Sequence, residues 1–222
     1  MRLLELFAGT GSVGKSFKKL GWEVVSLDLS PDFNPTILTD LMDWDYRAYQ
    51  GTFDCVHASP PCTMYSIART TAKTPRDMEG SDALVQRTLD IIAHFHPKIF
   101  ILENPFTGYM KTRPVMQHLQ SCMRVVTYCK YGMPYKKATS IWTNLPWTPR
   151  PACCKASPCQ HLEDGAHPKT AQRGPGKLRG TARRCDKFSL HELYALPEQL
   201  CDELAFATHS ACSARSAATG SL

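Results

Sequence analysis

Short apolar runs alternate with one-sided apolar stripes along the first two thirds of the chain. Leu3 to Phe7 is a continuous run that predicts a buried strand. Ala8-Gly9-Thr10-Gly11-Ser12-Val13-Gly14 follows, then a helical pattern with Val13, Phe17 and Leu20 on one face, closed by Gly21. Further strands are predicted over Glu23 to Leu27, Thr36 to Thr39, Phe53 to His57, Ile99 to Leu102, Arg124 to Tyr128 and Ser140 to Thr143. Asp82 to His96 spaces Val85, Leu89, Ile92 and Phe95 as one helical stripe, capped by Ser81 or Asp82 and ended by Pro97. Met110 to Met123 reads as a helix carrying Val115, Leu119 and Cys122 on one face. Ser189 to Ala207 reads as another, with Pro197 suited to a first turn. Strands alternating with helices predict an α/β domain with a mostly parallel, Rossmann-like sheet flanked by helices.

After about residue 145 the pattern changes: residues 146–186 are rich in Pro, Gly, Lys and Arg with little periodicity. The chain therefore divides into a core at 1–145, a small basic insertion at 146–186, a helix at 187–209 that returns to the core, and a small, polar, disordered tail at 210–222. With 222 residues, one α/β domain and a small appendage are the expected scale. The net charge of +6 favours an anionic partner such as nucleic acid without identifying it. Ten cysteines would suggest disulfides in a small secreted protein. Here the chain opens Met-Arg-Leu-Leu-Glu directly into structure, and no apolar run approaches the roughly 20 residues that cross a bilayer. The expectation is a soluble intracellular protein whose cysteines are free, catalytic or metal-bound.

Candidate chemistry collects where the predicted strands end. The glycine turn lets backbone approach a nucleotide-like ligand, and Asp28, about twenty residues on, is placed for a ribose hydroxyl pair. Gly9, Gly11 and Gly14 also fit a dinucleotide spacing, so these residues alone leave a nicotinamide cofactor open. The fourth strand runs into Ser59-Pro60-Pro61-Cys62, where two prolines fix the chain and deliver a thiol at the sheet edge. Cys62 reads equally as a nucleophile or as a small buried residue. Thr63 to Ser81 is a long polar segment with Arg69, Lys73 and Arg76, either functional or a solvated loop. Glu103 of Glu103-Asn104-Pro105 ends the next strand and is either catalytic or a capping acid.

Phe7-Ala-Gly-Thr-Gly, Asp28, Pro61-Cys62 and Glu103-Asn104-Pro105, in that order and at those intervals, resemble the DNA cytosine-5 methyltransferases over residues 2–145. The resemblance implies the S-adenosylmethionine-dependent methyltransferase fold and places S-adenosylmethionine, rather than a nicotinamide, at the glycine turn. It implies a pocket built from Phe7, Gly9, Thr10, Gly11, Asp28, Leu29, Asp40, Leu41 and Pro60. It also implies catalytic roles for Cys62, adding to carbon 6 of cytosine, and for Glu103 at the ring's N3 and amino group. A duplex DNA partner would present the base flipped out of the stack. The family's Gln-x-Arg-x-Arg pattern after a Tyr-Gly-x-Pro turn is altered: Tyr131-Gly-Met-Pro134 is followed by Tyr135, Lys137 and Thr139. Lys137 stands in the first arginine's place, and a lysine is not an equivalent fork donor.

The family's target-recognition region corresponds to the insertion, shortened here to about forty residues. Lys169, Arg173, Lys177, Arg179, Arg183 and Arg184 make it the main cationic patch, suited to phosphates. Cys154, Cys159 and His167 have a spacing that can hold zinc, with Cys185 or Cys153 as a fourth ligand. Cysteines scattered through a loop are the alternative. The family's late Gly-Asn motif is absent, although the segment after residue 187 is expected to pack at the cofactor pocket. The functional expectation is cytosine-5 methylation of DNA. The alternatives are the same chemistry on RNA or a free pyrimidine nucleotide, or a non-catalytic nucleic-acid-binding relative.

Overall fold

The computed structural model describes residues 1–69, 72–167, 169–171 and 188–219. The chain runs β1 (Arg2–Leu6), α1 (Ser12–Lys19), β2 (Glu23–Asp28), β3 (Ile37–Leu38), β4 (Cys55–Ala58), α2 (Met78–Phe95), β5 (Ile99–Pro105), β6 (Met123–Thr127), β7 (Ala138–Thr143), α3 (Leu190–Tyr194) and α4 (Glu198–Thr219). The strands form one sheet in the order β3-β2-β1-β4-β5-β7-β6. Pairing is parallel from β3 through β5, and β7 is antiparallel to both of its neighbours. This is the mostly parallel α/β sheet that the pattern predicts.

Alternation along β1 assigns its two faces. Leu3 joins α1 and α4 through Phe17, Leu200 and Leu204, while Leu4 and Leu6 join the opposite layer with Val85 and Ile91 of α2. Burial on both faces explains why the central strands read as near-continuous apolar runs. Each such Leu or Ile, fully buried, stabilises the fold by about 1.5–3 kcal/mol. Across the first layer, Lys19 pairs with Glu198 (2.6 Å) and Asp202 (3.0 Å), and Trp22 Nε1 donates to His209 Nδ1 (3.1 Å).

Several boundaries differ from the sequence expectation. α2 begins four residues early because Asp77 caps it, its Oδ1 accepting from Gly80 N at 2.8 Å. Asp82 is instead held by Arg113 Nη2 (2.6 Å) and by the Tyr65 hydroxyl (2.8 Å). The helix expected over Met110 to Met123 is two 3-10 segments, Met110–Thr112 and Pro114–Cys122. Arg113, forced extended before Pro114 (φ −74°, ψ 146°), separates them. Helix α4 continues to Thr219, so the tail expected to be disordered from residue 210 is helical over 210–219, with Cys212 fully buried. Among the described residues no helix is long and apolar enough to cross a membrane.

Candidate active site

Parallel pairing of β4 with β5 stops at Ala58 opposite Leu102. Beyond that point β4 leaves into Ser59-Pro60-Pro61-Cys62, while β5 continues through Glu103 and Asn104 paired only with β7. The divergence opens the C-terminal edge of the sheet, where ligands of open α/β folds sit. A cavity of about 330 Å3 fills this edge. On one side it is lined by Phe7, Gly9, Thr10 and Asp28, and on the other by Pro60, Cys62, Glu103 and Lys137. The candidate residues of the glycine turn and those of the strand ends therefore share one space.

The glycine turn is shaped by left-handed backbone at Phe7 (φ 56°), Gly9 (φ 48°) and Gly11 (φ 66°). The cost of that conformation at Phe7 is of order 1 kcal/mol or more, and the surrounding contacts maintain it. Ala8 N donates to Leu27 O (3.1 Å), Gly9 N to Asp28 Oδ2 (2.8 Å) and Ser30 N to Asp28 Oδ1 (2.9 Å). An ionised carboxylate accepts about four bonds, so Asp28 braces the turn and keeps acceptor capacity toward the cavity. Gly11 is the N-cap of α1 but has no side chain to cap with. Glu5, reaching up from β1, supplies the cap by accepting from Gly14 N at 3.0 Å.

Asn104 Nδ2 donates to Pro60 O at 2.9 Å in a buried contact, tying the proline turn to β5. Glu103 is buried beside Cys62, and the Tyr128 hydroxyl donates to its Oε1 at 3.3 Å. Desolvation pushes the Glu103 carboxyl above its ordinary pKa, opposed by Lys137 and by the hydroxyls of Ser59 and Tyr128. Desolvation likewise raises the Cys62 thiol, Glu103 adds to that rise, and Lys137 opposes it. Lys137 is anchored with Nζ donating to Leu193 O (3.1 Å) and lying 4.8 Å from the centre of the Tyr128 ring. Tyr135 and Thr139, the neighbours that depart from the family pattern, are both buried.

Four of the expected pocket residues do not line the cavity. Gly11 caps α1, Leu29 is 67% exposed, and Leu41 is 3% exposed within the α2 layer. Asp40 closes the turn after β3, its Oδ1 accepting from Met42 N at 2.8 Å. Conversely, Glu5, Phe33, His57, Tyr194 and Leu196 line it without having been singled out. Tyr194, at the end of α3, and Leu196, in the link to α4, line the pocket. Glu5 and His57 carry a visible signal: each interrupts a run of apolar residues, Leu3 to Phe7 for Glu5 and Cys55 to Ala58 for His57. Glu5 is driven to a pKa of about 7 by burial, and His57, with neither ring nitrogen partnered, is driven down to about 4.

In the loop after Cys62, Arg69 donates to Thr74 O (2.9 Å) and Arg76 to Met64 O (2.6 Å), so both cations bond backbone carbonyls of the loop itself. Of the expected metal ligands, the structure brings some together with a cysteine that was not expected. Cys129, Cys153, Cys159 and His167 converge, whereas Cys154 is exposed at the start of a bend closed by reciprocal backbone bonds with Ser157. Cys185 and the cations Arg173, Lys177, Arg179, Arg183 and Arg184 lie outside the described residues.

The C-5 cytosine-specific DNA methylase family model matches residues 1–113. A Frog virus 3 (isolate Goorha) protein described as a probable DNA (cytosine-5)-methyltransferase is 34% identical over 206 residues, spanning 83% of this chain and 92% of that protein. The type II methyltransferase M.AplI of Arthrospira platensis is 26% identical over 151 residues, with the match covering 61% of this chain and 43% of the relative. Among solved structures, the Entamoeba histolytica methyltransferase EhMeth superposes with a TM-score of 0.50 at 14% identity, covering 70% of this chain and 57% of that one. That likeness bears on the fold alone, which is Rossmann-like. The family match over half of the chain and the viral relative over most of it lead to one conclusion: this chain belongs to the C-5 cytosine-specific DNA methylase family.

Proposed function

We propose that the protein transfers a methyl group from S-adenosylmethionine to carbon 5 of cytosine in DNA, through a covalent adduct between Cys62 and carbon 6. The observation that carries this reading is the single cavity lined by the glycine turn and Asp28 together with Cys62, Glu103 and Lys137. Carbon 5 of cytosine is a weak nucleophile. A thiolate bonded to carbon 6 turns the ring into an enamine and pushes electron density onto carbon 5. Once carbon 5 carries the methyl group, loss of its proton to solvent re-forms the 5,6 double bond and expels the Cys62 thiolate from carbon 6.

The donor set suits S-adenosylmethionine. Asp28 offers free acceptor positions for ribose hydroxyls, the Phe7 to Gly9 turn admits close backbone approach, and the orphaned His57 nitrogens and Asn104 Oδ1 supply unused polar atoms. When bound, the cofactor supplies an electrophilic methyl group. Glu103, raised by burial, holds a proton for N3 of the base and so stabilises the ring as the sulfur adds. A protonated Glu103 also removes the negative charge that otherwise opposes ionisation of Cys62, while Lys137 favours it. The base reaches these groups by flipping, at a cost of about a few kcal/mol for a paired cytosine.

The reading is tested by incubating the protein with S-adenosylmethionine labelled in its methyl group and with duplex DNA, RNA or dCMP in parallel. Label on carbon 5 of DNA cytosine, absent with Cys62→Ala, is the expected result. Label entering only RNA or dCMP would move the substrate class. No transfer to any of the three, by protein that binds the cofactor, would favour a non-catalytic binding protein.

A further inference from the structure

We infer that Cys129, Cys153, Cys159 and His167 form a structural zinc site that staples the segment after residue 148 to the catalytic core. The four ligand atoms lie within 4.8 Å of one another, and Cys159 Sγ is 3.2 Å from His167 Nε2. Tetrahedral zinc with Zn–S of about 2.3 Å and Zn–N of about 2.0 Å has ligand–ligand edges of about 3.5–3.8 Å, so shifts of about 1 Å or less close the site. Three sulfurs and one imidazole form a closed structural set with no open position for a substrate.

The surrounding chain is built to present these atoms. Cys129 lies on the 3-10 turn Tyr128–Tyr131 that follows β6. Cys153 is set against it by its own N–H, which donates to Thr127 Oγ1 at 2.9 Å. Left-handed Asp164 and Gly165 turn the chain between Glu163 and Ala166, which pair with each other and return His167 toward Cys159. Among the described residues, 148–167 contain no helix or strand; Arg150 ties their start to Glu203 and Gln199, and the four converging side chains lie beyond it or on the core turn it faces. A cavity of about 280 Å3 is lined by Cys129 and Cys159 together with Lys130 and Arg150. Binding releases three thiol protons and leaves a Zn(Cys)3(His) unit of net charge −1. Lys130, donating to Ser157 Oγ (2.9 Å) and Pro158 O (2.8 Å), is one neighbouring cation, with Arg150 lining the same cavity. The ion would thereby fix the insertion beside Tyr128, whose hydroxyl reaches Glu103.

Metal binding by this cluster does not depend on the methyl-transfer chemistry, so the two can fail separately. Full-length protein purified under reducing conditions with zinc present, then dialysed, should carry about one zinc per chain by elemental analysis. Cys129→Ser, Cys159→Ser and His167→Asn should each lose it, whereas Cys154→Ser should keep it. Because a ligand variant can fail to fold, wild-type protein stripped by a chelator is also titrated with cobalt. The absorption bands of a tetrahedral cobalt–thiolate centre should saturate at one equivalent. Zinc-free wild type that also gives no cobalt bands would overturn the proposal, as would full zinc retention in Cys129→Ser or loss in Cys154→Ser.

Discussion

Glu5→Gln and His57→Asn should tilt the pH dependence of stability in opposite directions. The two residues are partners on adjacent strands β1 and β4, are almost fully buried, and line the same cavity. Desolvation raises Glu5 from its ordinary 4.5 to about 7 and lowers His57 from 6.5 to about 4. For Glu5 the folded protein holds a proton that the unfolded chain has lost, so its contribution is full below pH 4.5 and is lost as pH rises to about 7. For His57 the folded ring stays neutral while the unfolded one is charged. Its contribution is full above pH 6.5 and is lost as pH falls to about 4. Each displacement corresponds to about 3 kcal/mol, and between pH 4.5 and 6.5 the two slopes cancel. Urea unfolding of wild type and both variants at half-unit steps from pH 4 to 7.5 isolates each term as a difference from wild type. Glu5→Gln keeps an acceptor for Gly14 N and removes only the titration. Its stability relative to wild type should climb by about 3 kcal/mol between pH 4.5 and 7, and that of His57→Asn should fall by a similar amount between pH 4 and 6.5. Parallel profiles for wild type and Glu5→Gln would refute a buried, neutralised pair at this site.

Three further outcomes follow from single contacts. Asn104→Ala strands the buried Pro60 carbonyl and should cost about 1–3 kcal/mol in unfolding, with a larger fall in the rate of adduct formation than in cofactor affinity. Gly14→Ala would press a methyl against Glu5 Oε2 and within 3.0 Å of Val24 Cγ1; chemical denaturation should show a loss of about 1–3 kcal/mol. Asp28→Ala removes the acceptor of both Gly9 N and Ser30 N, so S-adenosylmethionine affinity measured by calorimetry should drop at least about tenfold while the thermal transition persists.

The glycine turn, Asp28, Cys62 and Glu103 were legible because each follows an apolar strand, and a parallel sheet gathers its strand ends along one edge. Lys137 was legible only through its position in a family motif; nothing in its local pattern distinguishes it from a solvated lysine. What escaped the sequence depends on tertiary context. Periodicity joined Met110 to Met123 into one helix, but Pro114 divides it. Small, polar composition hid the helix over 210–219, although alanine is the strongest helix former and Cys212 is buried against the core. The convergence of Cys129 with Cys153, Cys159 and His167 is not legible in the sequence, because Cys129 belongs to a turn of the core, 24 positions before Cys153, and no local spacing links them. Glu5 and His57 look like interruptions of strands until the sheet places them side by side beneath one cavity.

The covalent role of Cys62 is tested most directly with a DNA duplex carrying 5-fluorocytosine, where fluorine replaces the proton that must leave carbon 5. Protein, S-adenosylmethionine and this duplex should yield a denaturation-resistant species whose mass equals protein plus strand plus one methyl group. Peptide mapping should place the DNA strand on Cys62. Cys62→Ser should give none, and Glu103→Gln should form the species markedly more slowly. A wild-type protein that binds cofactor and duplex yet forms no adduct, or an adduct mapped to another cysteine, would contradict the account.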